Sequence, residues 1–296
     1  RPAPPTLWPA WKRPAGPHGR SGPGSSALYY EYYGFAEPPF SLTPDPKYLF
    51  FSEQHREALD HLVFGVRERK GFIQITGEVG AGKTTLCRAF FNELDDHWLT
   101  ALVLNPMLSA DELIRVILRE LRIADTTDRV ENFDRLNQFL LAKTREHRDV
   151  VLVIDEAQTL TAEMLEQVRL ISNLETDNQK LIQIVLLGQP ELRDKLESPD
   201  LRQLRQRITI RYHLGPLSAA ETRRYLEHRM SVAGGRGTPQ FGDGAVRAIH
   251  GYAGGIPRMI NAVADKALLA GFVFKTATIT KQLVRLAAQE LEGHFE

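Results

Sequence analysis

Cysteine occurs once in the 296 residues, at Cys87, so the chain can form no internal disulfide and a reducing cytoplasm is its natural setting. The thiol reads as a small buried apolar side chain. No apolar run approaches the ~18 residues that a membrane-spanning helix needs; the longest, around 181–187 and 268–274, suit a buried strand or helix. Excess charge is missing too. Lys+Arg and Asp+Glu both number 37, so no global field favours nucleic acid or an anionic membrane, and nucleic acid is not the favoured partner. The nine histidines show no metal-ligand spacing, no Ser-His-Asp or Cys-His constellation stands out, and no internal repeat is evident. What is present, 43% apolar and 25% charged residues, suits a globular chain with one substantial core and a smaller second one.

Residues 1–27 hold seven Pro, four Gly and four Arg/Lys and no acidic residue, too few core-forming side chains to offset chain entropy, and are expected to be a disordered tail. They lack the apolar stretch of a secretory signal, and their prolines oppose an amphipathic transit helix. With this tail set aside, 33 basic residues face 37 acidic ones. That balance argues against generic binding to a phosphate backbone.

From Tyr29 onward, apolar strands alternate with amphipathic helices, the pattern of a parallel sheet covered on both faces, and hence of an α/β three-layer sandwich. Strands are expected at 71–76, 99–105, 150–155, 181–187 and 208–213, each short, rich in Val, Ile and Leu, and bounded by turn residues. Two helices carry a Ser-x-x-Glu capping box, Ser109 with Glu112 and Ser218 with Glu221. Beyond Pro216 the strand signal disappears. Helices are expected at 218–232, 243–252, 257–271 and 279–292, separated by Gly/Pro breaks. The chain therefore divides into a nucleotide-binding core over 28–216 and a helical unit over 217–296.

Gly77-Glu78-Val79-Gly80-Ala81-Gly82-Lys83-Thr84 fits G-x-x-x-x-G-K-[ST] directly after an apolar strand and at the opening of a helix, which is the context a phosphate-binding loop requires. Its glycines let the backbone turn so that several N–H groups face a phosphate, and the following helix, through Lys83, Thr84 and Thr85, adds its positive end. Lys83 supplies a point charge to the β- and γ-phosphates of ATP, and the Thr84 hydroxyl is short enough to ligate Mg²⁺. Asp155 and Glu156 follow five apolar residues at the C-terminal end of the third strand, the edge where ligands collect in open α/β sheets. Asp155 is the second Mg²⁺ residue, and Glu156 the base that orients or deprotonates the attacking water.

The P-loop, Asp155-Glu156 and Gly254-Gly255-Ile256-Pro257-Arg258 together resemble AAA+ ATPases. More narrowly, Tyr33-Gly34-Phe35, Pro39-Phe40, Pro44-Asp45-Pro46, the helix start at Ser52 and Gly188-Gln189-Pro190-Glu191-Leu192 resemble ATPases of the general secretion pathway protein A type and their pilus and exosortase-associated relatives. The resemblance spans about 29–290. It implies a sheet of order 5-1-4-3-2, a helical lid over the nucleotide, and a homo-oligomer, dimer or ring, with sites between subunits. It implies roles as well: Gln189 as the residue that senses the γ-phosphate, Arg258 as the lid arginine on the phosphates, and Arg207, with Arg202 and Arg205 as rivals, as a finger offered to a neighbouring copy. The aromatic segment from Tyr29 to Phe51, with His55-Arg56-Glu57, resembles the adenine side of these enzymes, against the simpler reading of core packing. The function implied is ATP hydrolysis that drives assembly of an envelope secretion, pilus or polysaccharide system, in the cytoplasm or at the inner membrane through a partner. A DNA-associated AAA+ ATPase and a nucleotide-gated binding module are the alternatives.

Overall fold

The computed structural model describes residues 27–43, 45–104, 109–176 and 179–293. The tail expected over 1–27, apart from its last residue, lies outside them, as do Pro44 and Asn105. In chain order the elements are α1 (Ala27–Tyr33), α2 (Glu53–Arg67), β1 (Phe72–Gly77), α3 (Lys83–Glu93), β2 (Trp98–Val103), α4 (Ala110–Glu120), α5 (Arg129–Arg145), β3 (Asp149–Ile154), α6 (Ala162–Ile171), β4 (Ile182–Gly188), α7 (Pro190–Leu196), α8 (Arg202–Arg207) and β5 (Ile208–Leu214). Then follow α9 (Ala219–Val232), β6 (Gln240–Phe241), α10 (Asp243–Ala253), α11 (Pro257–Val273), β7 (Thr278–Ile279) and α12 (Lys281–Glu292).

Strands β1 to β5 form one parallel sheet of order β2-β3-β4-β1-β5, the expected 5-1-4-3-2 read from the opposite edge. Both faces are apolar because alternate residues of each central strand feed different layers. Val150, Leu152, Ile154, Ile182, Ile184 and Leu186 pack under α4, α5 and α6. Val151, Val153, Val185, Leu187, Ile73 and Ile75 pack under α2 and α3. Each such side chain, fully buried, contributes roughly 1.5–3 kcal/mol relative to exposure; a one-residue slip of β3 would exchange its two faces but bury the same kinds of side chain. Register is set instead by the strand ends: Gly77 at the end of β1 and Asp155 after β3, on either side of β4, must both come out at the same edge of the sheet.

The two capping boxes form as expected: Ser109 and Ser218 accept from the backbone N–H of Glu112 and Glu221, whose carboxylates reach back to them. Each cap is worth about 1 kcal/mol. Beyond Pro216 the helices appear within two residues of the expected spans, with one correction. Residues 240–241 and 278–279 pair as a short parallel ladder, so the last helix starts at Lys281 and not at 279; two-residue strands carry too little periodicity to be read from sequence.

The aromatic residues of the N-terminal segment do not join the sheet. Tyr29, Tyr33, Phe35, Phe40 and Tyr48 are buried in the cluster formed by α9 to α12, across the division drawn at 216/217. Tyr29 Oη donates to Asp265, and Tyr33 Oη to the Thr276 carbonyl at 3.0 Å, so α1 is fastened to α11. Among the described residues no helix is long and apolar enough to cross a membrane.

Candidate nucleotide site

At the C-terminal edge of β1 the chain turns back over itself between Gly77 and Lys83. Gly80 and Gly82 hold φ of +81° and +100°, in the left-handed region that only glycine adopts without strain. Space demands glycine as well. A Cβ on Gly82 would lie 2.8 Å from His55 Nε2, and one on Gly80 would lie 2.4 Å from the Cβ of Arg258. His55 is buried on α2 and braces the loop from behind: Nε2 meets the Ala81 carbonyl at 3.0 Å and Nδ1 the Ser52 hydroxyl at 2.6 Å.

Lys83 opens α3 and is buried. Its ammonium donates to the carbonyls of Gly77 at 2.6 Å and Glu78 at 3.0 Å. Burial pulls its pKa below the ordinary lysine value, and the facing carboxylates of Glu156 and Asp155 restore it only in part. Thr84 Oγ1 donates to Asp155 Oδ2 at 2.7 Å, and Asp155 Oδ1 accepts the backbone N–H of Glu156 at 2.9 Å. A hydroxyl and a carboxylate in contact are a hard-oxygen pair of the kind that fits Mg²⁺.

Glu156 itself has φ +53°, a left-handed backbone for a residue with a Cβ, which costs on the order of 1 kcal/mol. Its Oε2 accepts from Gln158 Nε2 at 2.6 Å and from Gln189 Nε2 at 3.1 Å. Burial alone would raise the carboxyl's pKa; these two amides and the Lys83 ammonium outweigh it and hold the group below the usual glutamate value.

A cavity of about 360 Å³ connects these groups. Gly80, Lys83, Thr84, Thr85, Glu156 and Arg258 line it, together with Leu49, Phe50 and Tyr225. The structure thus brings together the loop residues Gly77 to Thr85, Asp155, Glu156, Gln189 and Arg258. Arg207 stands apart. Ile208 pairs with Phe72 at the opposite end of β1, about 17 Å of strand away from Gly77, and the Arg207 guanidinium donates to Ser172 Oγ at 3.1 Å. Its rival Arg205 pairs with Glu197.

Sequence reasoning missed three participants, Gln158, Lys195 and Arg229, and set His55 on the adenine side rather than behind the phosphate loop. Gln158 holds Glu156, and Lys195 on α7 donates to the carbonyls of Gln158 and Leu160. His55 braces the loop. Arg229 on α9 is buried, donates to the carbonyl of Pro39 at 2.6 Å and lies 4.5 Å from the Tyr48 ring. Only Gln158, two residues beyond the acid pair, carried a local signal.

Residues 66–196 match a family model described as an AAA domain. The chain carries an AAA domain. Over 268 residues, 90% of its length, it is 44% identical to General secretion pathway protein A of Aeromonas hydrophila, and it spans 49% of that protein, so the chain covers about half the length of this curated relative. Among solved structures it is similar to Cdc6p from Pyrobaculum aerophilum, with TM-score 0.64 and 16% identity over 85% of this chain and 70% of that one. It is also similar to the RuvB Holliday junction branch migration motor of Thermotoga maritima, with TM-score 0.54 and 20% identity over 81% and 69%. Identities this low establish a shared fold, that of the AAA+ P-loop proteins, around the AAA domain.

Proposed function

We propose that this AAA+ chain is an ATP hydrolase whose turnover drives assembly of an envelope secretion, pilus or polysaccharide-export system. The observation that carries the ATPase reading is the contact of Thr84 with Asp155 at 2.7 Å beside Glu156 and Lys83. That contact puts the helix that ends the phosphate loop and the acidic end of β3 at one point. The backbone amides from Gly77 to Thr85 cradle the phosphates and Lys83 exchanges its two carbonyl contacts for phosphate oxygens. Thr84 and Asp155 hold Mg²⁺, which when bound offsets charge on the phosphate oxygens. Glu156 takes the proton of the attacking water, Gln189 touches the terminal phosphate, and Arg258 follows the phosphates from the C-terminal helices.

Arg207, a strand length from its own loop, suits delivery to the site of a neighbouring copy in a dimer or ring. Residues 28–216 act as core and 217–296 as lid, with the aromatic strap of residues 29–48 moving with the lid. The pathway reading is supported by the 44% identity to General secretion pathway protein A, and with it goes a proposed location in the cytoplasm or at the inner membrane through a protein partner. The test is Mg·ATP hydrolysis: Glu156→Gln should slow turnover at least about a hundredfold while ATP still binds. Wild-type turnover in that variant would remove Glu156 as the base.

A further inference from the structure

Gln158 lies in the turn Ala157–Thr159 after β3, and both ends of its amide are engaged. Oε1 accepts the backbone N–H of Gln189 at 3.0 Å, and Nε2 donates to Glu156 Oε2 at 2.6 Å. A backbone N–H only donates, so the amide has one permitted orientation: carbonyl toward Gln189, NH₂ toward Glu156. The space is closed too, since a Cβ added to Gly188 would come within 3.1 Å of Gln158 Oε1. From the other side Lys195 holds the turn by the Gln158 and Leu160 carbonyls. With the Gln189 side chain also donating to it, Oε2 of Glu156 carries two amide donors. Oε1 carries none among the described residues.

We propose that Gln158 is a positioning residue for hydrolysis: it fixes Glu156 so that Oε1 is the oxygen presented to water, and it couples that carboxylate to the main chain of Gln189. The inference rests on the reading of Glu156 as the base. An unrestrained glutamate samples several rotamers; two donors on one oxygen select one of them. Because Gln158 binds the Gln189 backbone, a shift of residue 189 on meeting the terminal phosphate is passed to Glu156 through a single side chain, where a displacement of about 1 Å changes rates strongly.

Two variants separate positioning from scaffolding. Gln158→Met keeps the length and loses both hydrogen bonds. Gln158→Glu keeps an acceptor for the Gln189 N–H, loses the donor to Glu156 and sets a second carboxylate against it. In both, Mg·ATP affinity by calorimetry and KM should stay within about twofold of wild type, with the thermal midpoint little changed. By contrast, kcat should fall about 10- to 100-fold, the range for losing a hydrogen bond to an ionised group. Gln158→Glu should be at least as slow as Gln158→Met. Joined with Gln189→Met, the Gln158→Met loss should fall short of the product of the single losses.

Full turnover in Gln158→Glu would overturn the proposal, because a role confined to supporting residue 189 is rescued by that variant. So would a raised KM at unchanged kcat, or fully multiplicative losses. Glu156→Gln measured alongside keeps the two ideas apart. If it hydrolyses ATP normally, the base assignment fails; if it is inactive while both Gln158 variants run at full rate, only the positioning role falls.

Discussion

Gly80 and Arg258 meet where the phosphate loop touches α11, so closely that a Cβ on the glycine would stand 2.4 Å from the Cβ of the arginine. Carbon atoms in contact sit about 3.5–4.0 Å apart. Gly80→Ala must therefore push the two segments apart, in addition to straining a backbone at φ +81°. Expected is a Kd for Mg·ATP raised at least about tenfold, ~1.4 kcal/mol, read by calorimetry. Unchanged affinity would mean that Arg258 does not act on the nucleotide from this position.

The brace behind the loop is pH-sensitive. The Ala81 carbonyl can only accept, so His55 carries its proton on Nε2, and Nδ1 accepts from the Ser52 hydroxyl. Burial holds the imidazole below its ordinary 6.5, against the Ala81 carbonyl and Glu221, which favour the cation. The unfolded chain then takes up the proton first. The stabilising contribution is complete above about 6.5 and is lost as pH falls from there through the depressed folded value. The wild-type thermal midpoint should fall more steeply between pH 7 and 5.5 than that of His55→Gln; parallel curves would contradict this.

Much of the site is legible in the residues. The phosphate loop and the acid pair are local strings at the ends of apolar strands, so the order of residues alone is enough to place β1, β3, Lys83, Thr84, Asp155 and Glu156. Contacts formed by distant parts of the chain are not legible in that way. His55 reaches Ala81, Lys195 reaches Gln158, and Tyr29 reaches Asp265, and neither period nor propensity encodes such pairings. The aromatic strap shows the limit best: its composition announces burial, while only the fold reveals that it packs on α9 to α12 and not on the sheet.

Arg207, next to the β5 residue that pairs with the far end of β1, lies about 17 Å of strand from its own Gly77, so the proposed finger role is one that a second copy would have to receive. Arg207→Ala and Glu156→Gln should each be inactive alone. Mixed, they should recover part of the wild-type rate, because one subunit supplies the arginine and the other the base. No recovery at any ratio would exclude delivery between subunits.

The similarity to RuvB and Cdc6p is one of fold, and the balanced charge of 37 basic and 37 acidic residues provides no general attraction for DNA. Duplex DNA should leave the ATPase rate within about twofold at low salt, where electrostatic binding is strongest. Strong acceleration would move the assignment from envelope assembly to a DNA-directed role.

The most direct measurement is calorimetric titration of Mg·ATP into the wild-type protein and into Lys83→Ala. One triphosphate per chain should bind the wild type, and the Lys83→Ala protein should show no measurable uptake at the same concentrations. Equal binding by both, or none by the wild type, would contradict a nucleotide seated between the loop at Lys83 and the carboxylates that end β3.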